Sequence, residues 1–135
     1  KAKQFLLQLK RLYKQQKYGQ LLKFSEQMKS QATDALVEME AESSLRSGLW
    51  ERAEKAFNQL LAKENKQEYL LGLGQVYLKQ KKYVQVQQVL EQVISQSPQN
   101  QQAYYFSGLA HSGQGELNKA LRAFEGLSRL ALSMS

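Results

Sequence analysis

The sequence has 135 residues, of which 42% are hydrophobic and 23% charged, and its formal net charge is +7. These values suit one folded domain and argue against an intrinsically disordered chain. The lack of cysteine in the sequence excludes disulfides and thiolate chemistry, and it fits either a reducing or an oxidising compartment. No apolar run approaches the roughly 18 residues of a membrane-spanning helix, and the first residue, Lys1, predicts an excerpt of a longer chain.

The positive charge is concentrated at the beginning of the chain. Residues 1–33 carry eight Lys or Arg and one Glu, whereas residues 34–66 carry five basic and seven acidic residues. The two remaining quarters contribute +1 each. A uniformly basic surface that could bind nucleic acid along its whole length is therefore not expected.

Two helices are predicted in the first 30 residues. Apolar residues recur with helical spacing over residues 2–16, and basic residues occupy the other face. Residues 17–19 predict a turn, and a second amphipathic helix follows from Leu21 to Met28. These two helices form the first predicted helix–turn–helix unit.

The next two helices are predicted over residues 34–46 and 50–63. Thr33 and Asp34 favour a helix start, because either side chain can accept a hydrogen bond from the free amides of the first turn. Gly48 favours the end of that helix, since glycine tolerates a left-handed backbone. Compared with the later units, one residue is missing near Asn65, in a loop where a deletion leaves the packed faces unchanged.

Four more helices are predicted over residues 67–80, 83–96, 101–114 and 117–131. Pro98 ends the second of them, because it lacks an N–H and disfavours helix at the residue before it. Gly74 and Gly108 lie inside predicted helices, where each costs about 1 kcal/mol relative to alanine. We expect the close approach of a partner helix to offset that cost at both positions.

One pattern occurs twice in this part of the chain, 34 residues apart. The motif Leu-Gly-x-x-Tyr at residues 73–77 recurs as Ser-Gly-x-x-His at residues 107–111, and Leu90 recurs as Phe124. Small and large apolar residues at these offsets, closed by Pro98, resemble the tetratricopeptide repeat, a helix–turn–helix unit of about 34 residues. The resemblance implies an all-α, right-handed α-solenoid of about four units within one domain, residues 1–135. The implied units are residues 1–33, 34–66, 67–100 and 101–134.

No arrangement of residues in the sequence indicates catalysis or metal binding. His111, the only histidine, takes the place of Tyr77 in the preceding unit, where a packed or half-exposed aromatic residue is expected. Glu38 and Glu42 share a helix face, but two carboxylates without a histidine or a third acid make a weak metal site. The serines lack the basic neighbours that activate a nucleophile. We therefore expect no enzyme activity, no metal and no cofactor.

The family resemblance also implies a binding surface. In tetratricopeptide domains the first helix of each unit lines the concave face, which suits an extended or helical peptide. Carried over to this sequence, the implied groove residues are Leu6, Lys10, Tyr13, Lys14, Met39, Glu42, Arg46, Leu71, Gln75, Leu78, Lys79, Tyr105, Phe106 and Leu109. Some of them belong to the core instead if the helical register is shifted by one position. Their apolar, aromatic and basic side chains favour a peptide or protein partner that carries acidic residues.

Some tetratricopeptide domains hold the acidic C-terminal peptide of a heat-shock chaperone with a clamp of lysines and asparagines. The asparagine positions of that clamp correspond to Lys10, Glu42, Gln75 and Leu109. None of these residues is asparagine, so the resemblance does not carry this activity over.

The predicted function is a non-catalytic scaffold that binds a peptide or partner protein in the groove, as part of a larger protein or assembly. The Gln- and Lys-rich composition leads us to expect a bacterial source, with the cytoplasm favoured as location and the periplasm left open. The alternative is a nucleic-acid-binding helical domain, which is less expected because a run of charges usually forms a solvated face. Its basic residues are Lys3, Lys10, Arg11, Lys14, Lys17, Lys23 and Lys29.

The last predicted helix carries more apolar residues than one packed face requires. We expect Leu117, Ala120, Phe124 and Leu127 to pack within their own unit. The remaining apolar residues predict either a following helix or a homodimer through this C-terminal helix. These residues are Leu121, Leu130, Leu132 and Met134.

Overall fold

The computed structural model describes the backbone of residues 2–133. Side chains in this range are described except those of Ala2, Phe5, Leu6, Leu9, Tyr13, Tyr18 and residues 21–32. Within residues 2–133 the chain forms seven α-helices and no strand, which confirms the predicted all-α class. The helices are α1 (Ala2–Lys14), α2 (Tyr18–Arg46), α3 (Trp50–Lys63), α4 (Gln67–Lys79), α5 (Tyr83–Gln96), α6 (Gln101–Gly113) and α7 (Leu117–Ser133).

The chain divides into two compact units, Lys1–Met39 and Glu40–Ser135. The first unit contains α1 and most of α2, whereas the second contains the end of α2 and helices α3 to α7. The division into four repeat units remains a prediction. Its boundary between residues 33 and 34 lies inside α2.

Helix α2 covers a region for which two separate helices were predicted. The prediction of a helix start at Thr33 and Asp34 is wrong, because both residues lie inside this 29-residue helix. No glycine or proline occurs between Gly19 and Gly48, and most of the residues between them are good helix formers. A capping side chain begins a helix only where the preceding backbone leaves the helical conformation, and nothing in this segment forces it to leave.

The predicted helices after residue 49 agree with the structure to within two residues at every end. Residues that end or cap a helix by their own local effect explain this agreement. Pro98 lies between α5 and α6, and the Asn100 side chain then accepts a hydrogen bond from the amide of Ala103 at 3.1 Å. This bond satisfies one of the free donors at the start of α6.

The turns between α2 and α3, α4 and α5, and α6 and α7 place a left-handed residue at a matching position. Gly48 and Gly115 both have a φ of +77°, whereas Lys81 adopts a φ of +59° in its turn. For a residue with a Cβ atom the left-handed conformation costs roughly 1–2 kcal/mol. The α4–α5 turn therefore carries backbone strain that the other two turns avoid.

Gly108 permits the close approach of two helices, as its place inside a helix predicts. A Cβ atom at Gly108 would overlap the ring of Phe124, which belongs to α7. The contact joins the two helices of the last predicted unit. A side chain at residue 108 would block this contact, which explains why glycine occurs there although it weakens the helix.

Of the two glycines of α4, Gly72 rather than Gly74 leaves no room for a side chain. A Cβ atom at Gly74 would meet the Leu90 side chain at 3.4 Å, which requires only a small adjustment. At Gly72 it would overlap the ring of Phe57, which belongs to α3. The spacing of the repeat pointed to Gly74, but the bulk of the facing side chain decides which glycine is required.

Helix α7 packs against α6 through a narrower face than predicted. Ala120 is buried, and Phe124 and Leu127 are half-buried. The prediction that Leu117 packs within the unit is wrong, because this residue is 69% exposed. Its helical position lies to one side of the face that Ala120 and Leu127 define. Leu130 is half-buried rather than uncovered, and Met134 lies outside the described residues.

Candidate partner-binding face

Helix α6 packs against α4, α5 and α7 within the second unit. On one side the Ser107 hydroxyl donates a hydrogen bond to Oε1 of Gln87 in α5 at 3.0 Å, and Nε2 of Gln87 donates to the Ser107 carbonyl at 3.3 Å. On another side Gly108 faces Phe124 of α7. Helical spacing leaves a third side, which carries Tyr105, Leu109 and Ser112.

Tyr105 is the most prominent apolar group on this third side. Its side chain is 46% exposed, so a partner could cover it. The ring rests on other rings, because its centroid lies 5.6 Å from that of Phe106 and 6.5 Å from that of Phe124. Such support holds an aromatic side chain in place, and a rigid aromatic residue loses little conformational entropy on binding.

Helix α4 packs against α6 and contributes the other part of the candidate face. In the second unit α4 packs against α3, α5 and α6, and it carries more buried residues than α6 does. Leu71 is only 7% exposed and therefore belongs to the core rather than offering a surface to a partner. Gln75 and Leu78 are half-buried, and Lys79 is exposed.

The end of α2 offers charged side chains that already have partners. Glu42 and Arg46 are exposed and form an ion pair of 3.3 Å one helical turn apart. Glu40 accepts a hydrogen bond from Arg52 of α3 at 2.9 Å. Met39 is 60% exposed, but it belongs to the first compact unit.

Helix α1 presents a basic surface in the first unit. Lys10 and Lys14 are exposed, and Leu7 of the same helix is 66% exposed. The side chains of Leu6 and Tyr13 lie outside the described residues. Among the described side chains of residues 1–33, the other exposed basic ones are those of Lys3, Arg11 and Lys17, whereas the side chains of Lys23 and Lys29 lie outside the described residues.

A polar cluster joining α3 to the end of α4 was not foreseen from the sequence. The ammonium of Lys82 lies 3.6 Å from Oε1 of Glu54 and 5.9 Å from the ring centre of Tyr77. Burial, followed by the nearby Glu54 carboxylate, raises the pKa of Tyr77, while a hydrogen bond with Asn58 opposes that rise. Because these groups bind one another, the cluster fixes two helices rather than forming a reactive site.

His111 takes part in a similar link between α6 and α7. Its Nδ1 lies 3.3 Å from Oε1 of Glu116, and Lys119 lies 2.9 Å from Oε2 of the same carboxylate. Hydrogen bonds from Lys119 and then from His111 lower the pKa of Glu116. The half-buried histidine thus has a structural partner. In the described part of the chain no group of three or more potential metal ligands comes together.

Residues 46–127, or 82 of the 135 residues, match the family model for anaphase-promoting complex, cyclosome, subunit 3, which is of the tetratricopeptide type. The chain belongs to this tetratricopeptide-type family. The predicted family resemblance is therefore confirmed. Repeat families of this type are in general non-catalytic scaffolds for protein interaction. None of the helices among residues 2–133 is long and apolar enough to span a membrane.

Similar solved structures cover nearly the whole chain. A structure described as "MamA RS-1 ArsTM double mutant" is 26% identical with a TM-score of 0.69, over 96% of this chain and 74% of that one. MamA 41-end from Desulfovibrio magneticus RS-1 is 24% identical with a TM-score of 0.69, over 96% and 75%. The second TPR of Spaghetti (RPAP3), bound to the HSP90 peptide SRMEEVD, is 23% identical with a TM-score of 0.64, over 78% and 95%. No curated protein matches the chain.

Proposed function

We propose that the chain is a non-catalytic scaffold that binds a peptide or protein segment on the α4–α6 face, defined by Gln75, Leu78, Lys79, Tyr105, Phe106 and Leu109. The observation that carries the proposal is the supported, 46% exposed ring of Tyr105 on α6. Partner-binding surfaces gain most of their affinity from a few aromatic or apolar anchors. A repeat domain of similar fold, the second TPR of Spaghetti (RPAP3), holds a peptide in its solved structure.

The charges on the first helices of the predicted units within the second compact unit favour an apolar anchor over a strongly acidic one. Glu42 and Arg46 neutralise each other in their ion pair, and Lys79 is the one basic member of the α4–α6 face. Acidic residues of a partner would instead find basic side chains on α1, including Lys10 and Lys14. We propose that these basic side chains of α1 serve mainly to raise the association rate with an acidic partner, because exposed charges act on the association rate more than on affinity.

The test of the α4–α6 face is a peptide-binding measurement with matched variants. Peptides are selected from a displayed library of random short sequences on the full chain, and their affinities are measured by calorimetry. Tyr105→Ala is expected to weaken binding by about tenfold or more, because anchor residues typically contribute at least 1–2 kcal/mol. Val84→Ala is the control, since Val84 is also an exposed apolar side chain, at 60%, but belongs to α5.

Two results would contradict the proposal. Equal affinity of the selected peptides for Tyr105→Ala and Val84→Ala would place their site elsewhere. The other result is a loss of about 3–5 kcal/mol in the free energy of unfolding of Tyr105→Ala, as truncation of a buried aromatic causes. That loss would assign Tyr105 to the core.

The exposed basic residues of α1 favour nucleic-acid binding as the second candidate function. Affinity for a labelled DNA oligonucleotide, measured by fluorescence anisotropy, should then fall steeply with salt because bound counterions are released. Lys10→Glu with Lys14→Glu should abolish that binding while leaving selection of peptides by Tyr105 unchanged. DNA affinity that is undetectable at low salt would remove this candidate.

We propose that the scaffold serves a larger bacterial protein or assembly, on the basis of composition. We also propose that two copies of the chain can pair through α7, on the basis of its exposed leucines.

A further inference from the structure

The turn between α2 and α3 borders a cavity of about 540 Å³. This volume falls in the range of about 300–1,000 Å³ that is typical of small-ligand sites. None of the lining residues belongs to the α4–α6 face, and all of them lie in the second compact unit. They are Gly48, Leu49, Trp50, Glu51, Arg52 and Gln80. We call this cavity the α2–α3 pocket.

Leu49 is an apolar residue at a position that carries a charge in the next two predicted units. It directly precedes α3, as Lys82 precedes α5 and Glu116 precedes α7. Both charged residues form ion pairs, whereas Leu49 is apolar and 50% exposed. Half-buried Trp50 follows it in the lining of the pocket. An exposed apolar side chain next to an aromatic one in a concave site is typical of a ligand pocket.

Gln80 supplies a hydrogen-bond acceptor to the same pocket. Its Oε1 atom is buried, and it accepts no hydrogen bond from the described part of the chain. A buried acceptor without a partner is unfavourable, so a donor that reaches it recovers a hydrogen bond. The side chain as a whole is half-buried and lines the pocket. Rotation of its terminal amide therefore suffices to present the oxygen to a ligand.

The charged lining residues are already balanced, which favours an uncharged ligand. Nε of Arg52 donates a hydrogen bond to Oε1 of Glu40 at 2.9 Å. Glu51 lies in the first turn of α3, where its carboxylate offsets the positive end of the helix dipole. The groups left to contact a ligand are the apolar side chains and the neutral acceptor of Gln80.

We propose that the α2–α3 pocket binds an uncharged aromatic side chain with one hydrogen-bond donor, as in tyrosine, from a protein partner. The ring contacts Leu49 and Trp50, and the hydroxyl donates to Oε1 of Gln80. Aromatic residues with a polar group are enriched in protein interfaces, because they bury a large apolar area and still pair their donor. Gly48 and Glu51 are exposed at the pocket, so a side chain can enter while its backbone stays outside.

Trp50 provides a direct test, because it is the only tryptophan in the sequence. Its indole N–H therefore gives a single resonance in the NMR spectrum of the nitrogen-labelled protein. The first probe is p-cresol, which is the tyrosine side chain, and it is expected to shift this resonance with a Kd on the order of millimolar. The second probe is 4-methylanisole, in which a methyl group replaces the hydroxyl hydrogen. It should bind about three- to tenfold more weakly, the usual effect of one hydrogen bond.

Three variants separate the two kinds of contact. Gln80→Leu should reduce the affinity for p-cresol to that for 4-methylanisole, because the acceptor is lost while the apolar contacts remain. Leu49→Lys introduces the residue found before α5, and it should weaken both probes by about fivefold through the loss of apolar contact. Val84→Lys is the matched control, since Val84 is 60% exposed on α5, and it should change neither affinity. Circular dichroism shows that each variant is folded.

A blocked Gly-Tyr-Gly tripeptide tests whether the ligand is a side chain of a polypeptide, and it should bind at least as tightly as p-cresol. Each other outcome overturns a defined part of the proposal. An unchanged Trp50 resonance with both probes overturns the pocket as a site. Equal affinities for p-cresol and 4-methylanisole overturn the hydrogen bond to Gln80. Tighter binding of propylguanidinium than of p-cresol overturns the uncharged class. A tripeptide that does not bind overturns a protein side chain as the ligand.

Discussion

The junctions at residues 29–34 and 97–100 were both predicted to separate one repeat unit from the next, yet only the second interrupts the helix. Pro98 removes an amide donor between α5 and α6, and Asn100 caps the new helix. At residues 29–34 the chain offers Thr33 and Asp34 as caps but no residue that breaks a helix, and α2 continues to Arg46. A repeat period tells where units should meet. The local residues decide whether the backbone turns there.

The largest expected effect is the insertion of a helix breaker into the uninterrupted junction. Thr33→Pro should lower the free energy of unfolding by about 3 kcal/mol, because proline inside a helix removes a hydrogen bond and clashes with the preceding turn. Circular dichroism and thermal unfolding measure the change. A control is Asn65→Pro in the α3–α4 loop, where Glu64 already has the extended backbone that proline favours in its predecessor.

A chain in which α2 consisted of two helices would respond differently. Proline is tolerated in the first turn of a helix, so Thr33→Pro would then cost little more than Asn65→Pro. Equal stabilities of the two variants would therefore contradict the continuous helix.

A smaller effect is expected at the glycines of the second unit, where the repeat pattern is complete. Gly108→Ala should destabilise the fold by about 1–3 kcal/mol, because the added carbon overlaps the Phe124 ring. Gly126→Ala is the matched control, since its Cβ would meet Tyr104 at an ordinary distance of 3.7 Å. That variant should gain up to about 1 kcal/mol from helix propensity. Chemical denaturation with both variants checks the difference, and a stabilised Gly108→Ala would show that the helices are not closely packed there.

The smallest expected effect concerns the strained turn between α4 and α5. Lys81→Gly should raise the free energy of unfolding by about 1 kcal/mol, because glycine adopts the φ of +59° without the clash of a Cβ atom. The reverse change, Gly115→Ala at a φ of +77°, should lower it by a similar amount. Thermal unfolding of both variants is sufficient, and a loss of stability in Lys81→Gly would contradict a left-handed residue in this turn.

Sequence reasoning was most successful where one residue has one strong local effect. Pro98 and Gly48 placed two of the boundaries between helices, and the 34-residue recurrence identified the family. The residues of the binding face could be predicted only by aligning the first helices of the repeat units with one another. Leu71 and Tyr105 were assigned to the same groove, yet Leu71 is 7% exposed and Tyr105 is 46% exposed. The difference depends on which tertiary contacts cover each position, and spacing alone does not contain those contacts.

The sequence by itself determined the helical class, the positions of the breaks after residue 46 and the family. These features follow from residue-by-residue propensities and from a period that needs no knowledge of neighbouring helices. Tertiary structure decided which glycine is required, because that depends on Phe57 facing Gly72 rather than on the motif around Gly74. It also decided that Leu117 and Leu121 are exposed while Tyr83 and Gln87, their equivalents on α5, contact α6. Equivalent positions in a repeat differ whenever the helix that covers one of them is missing at the other.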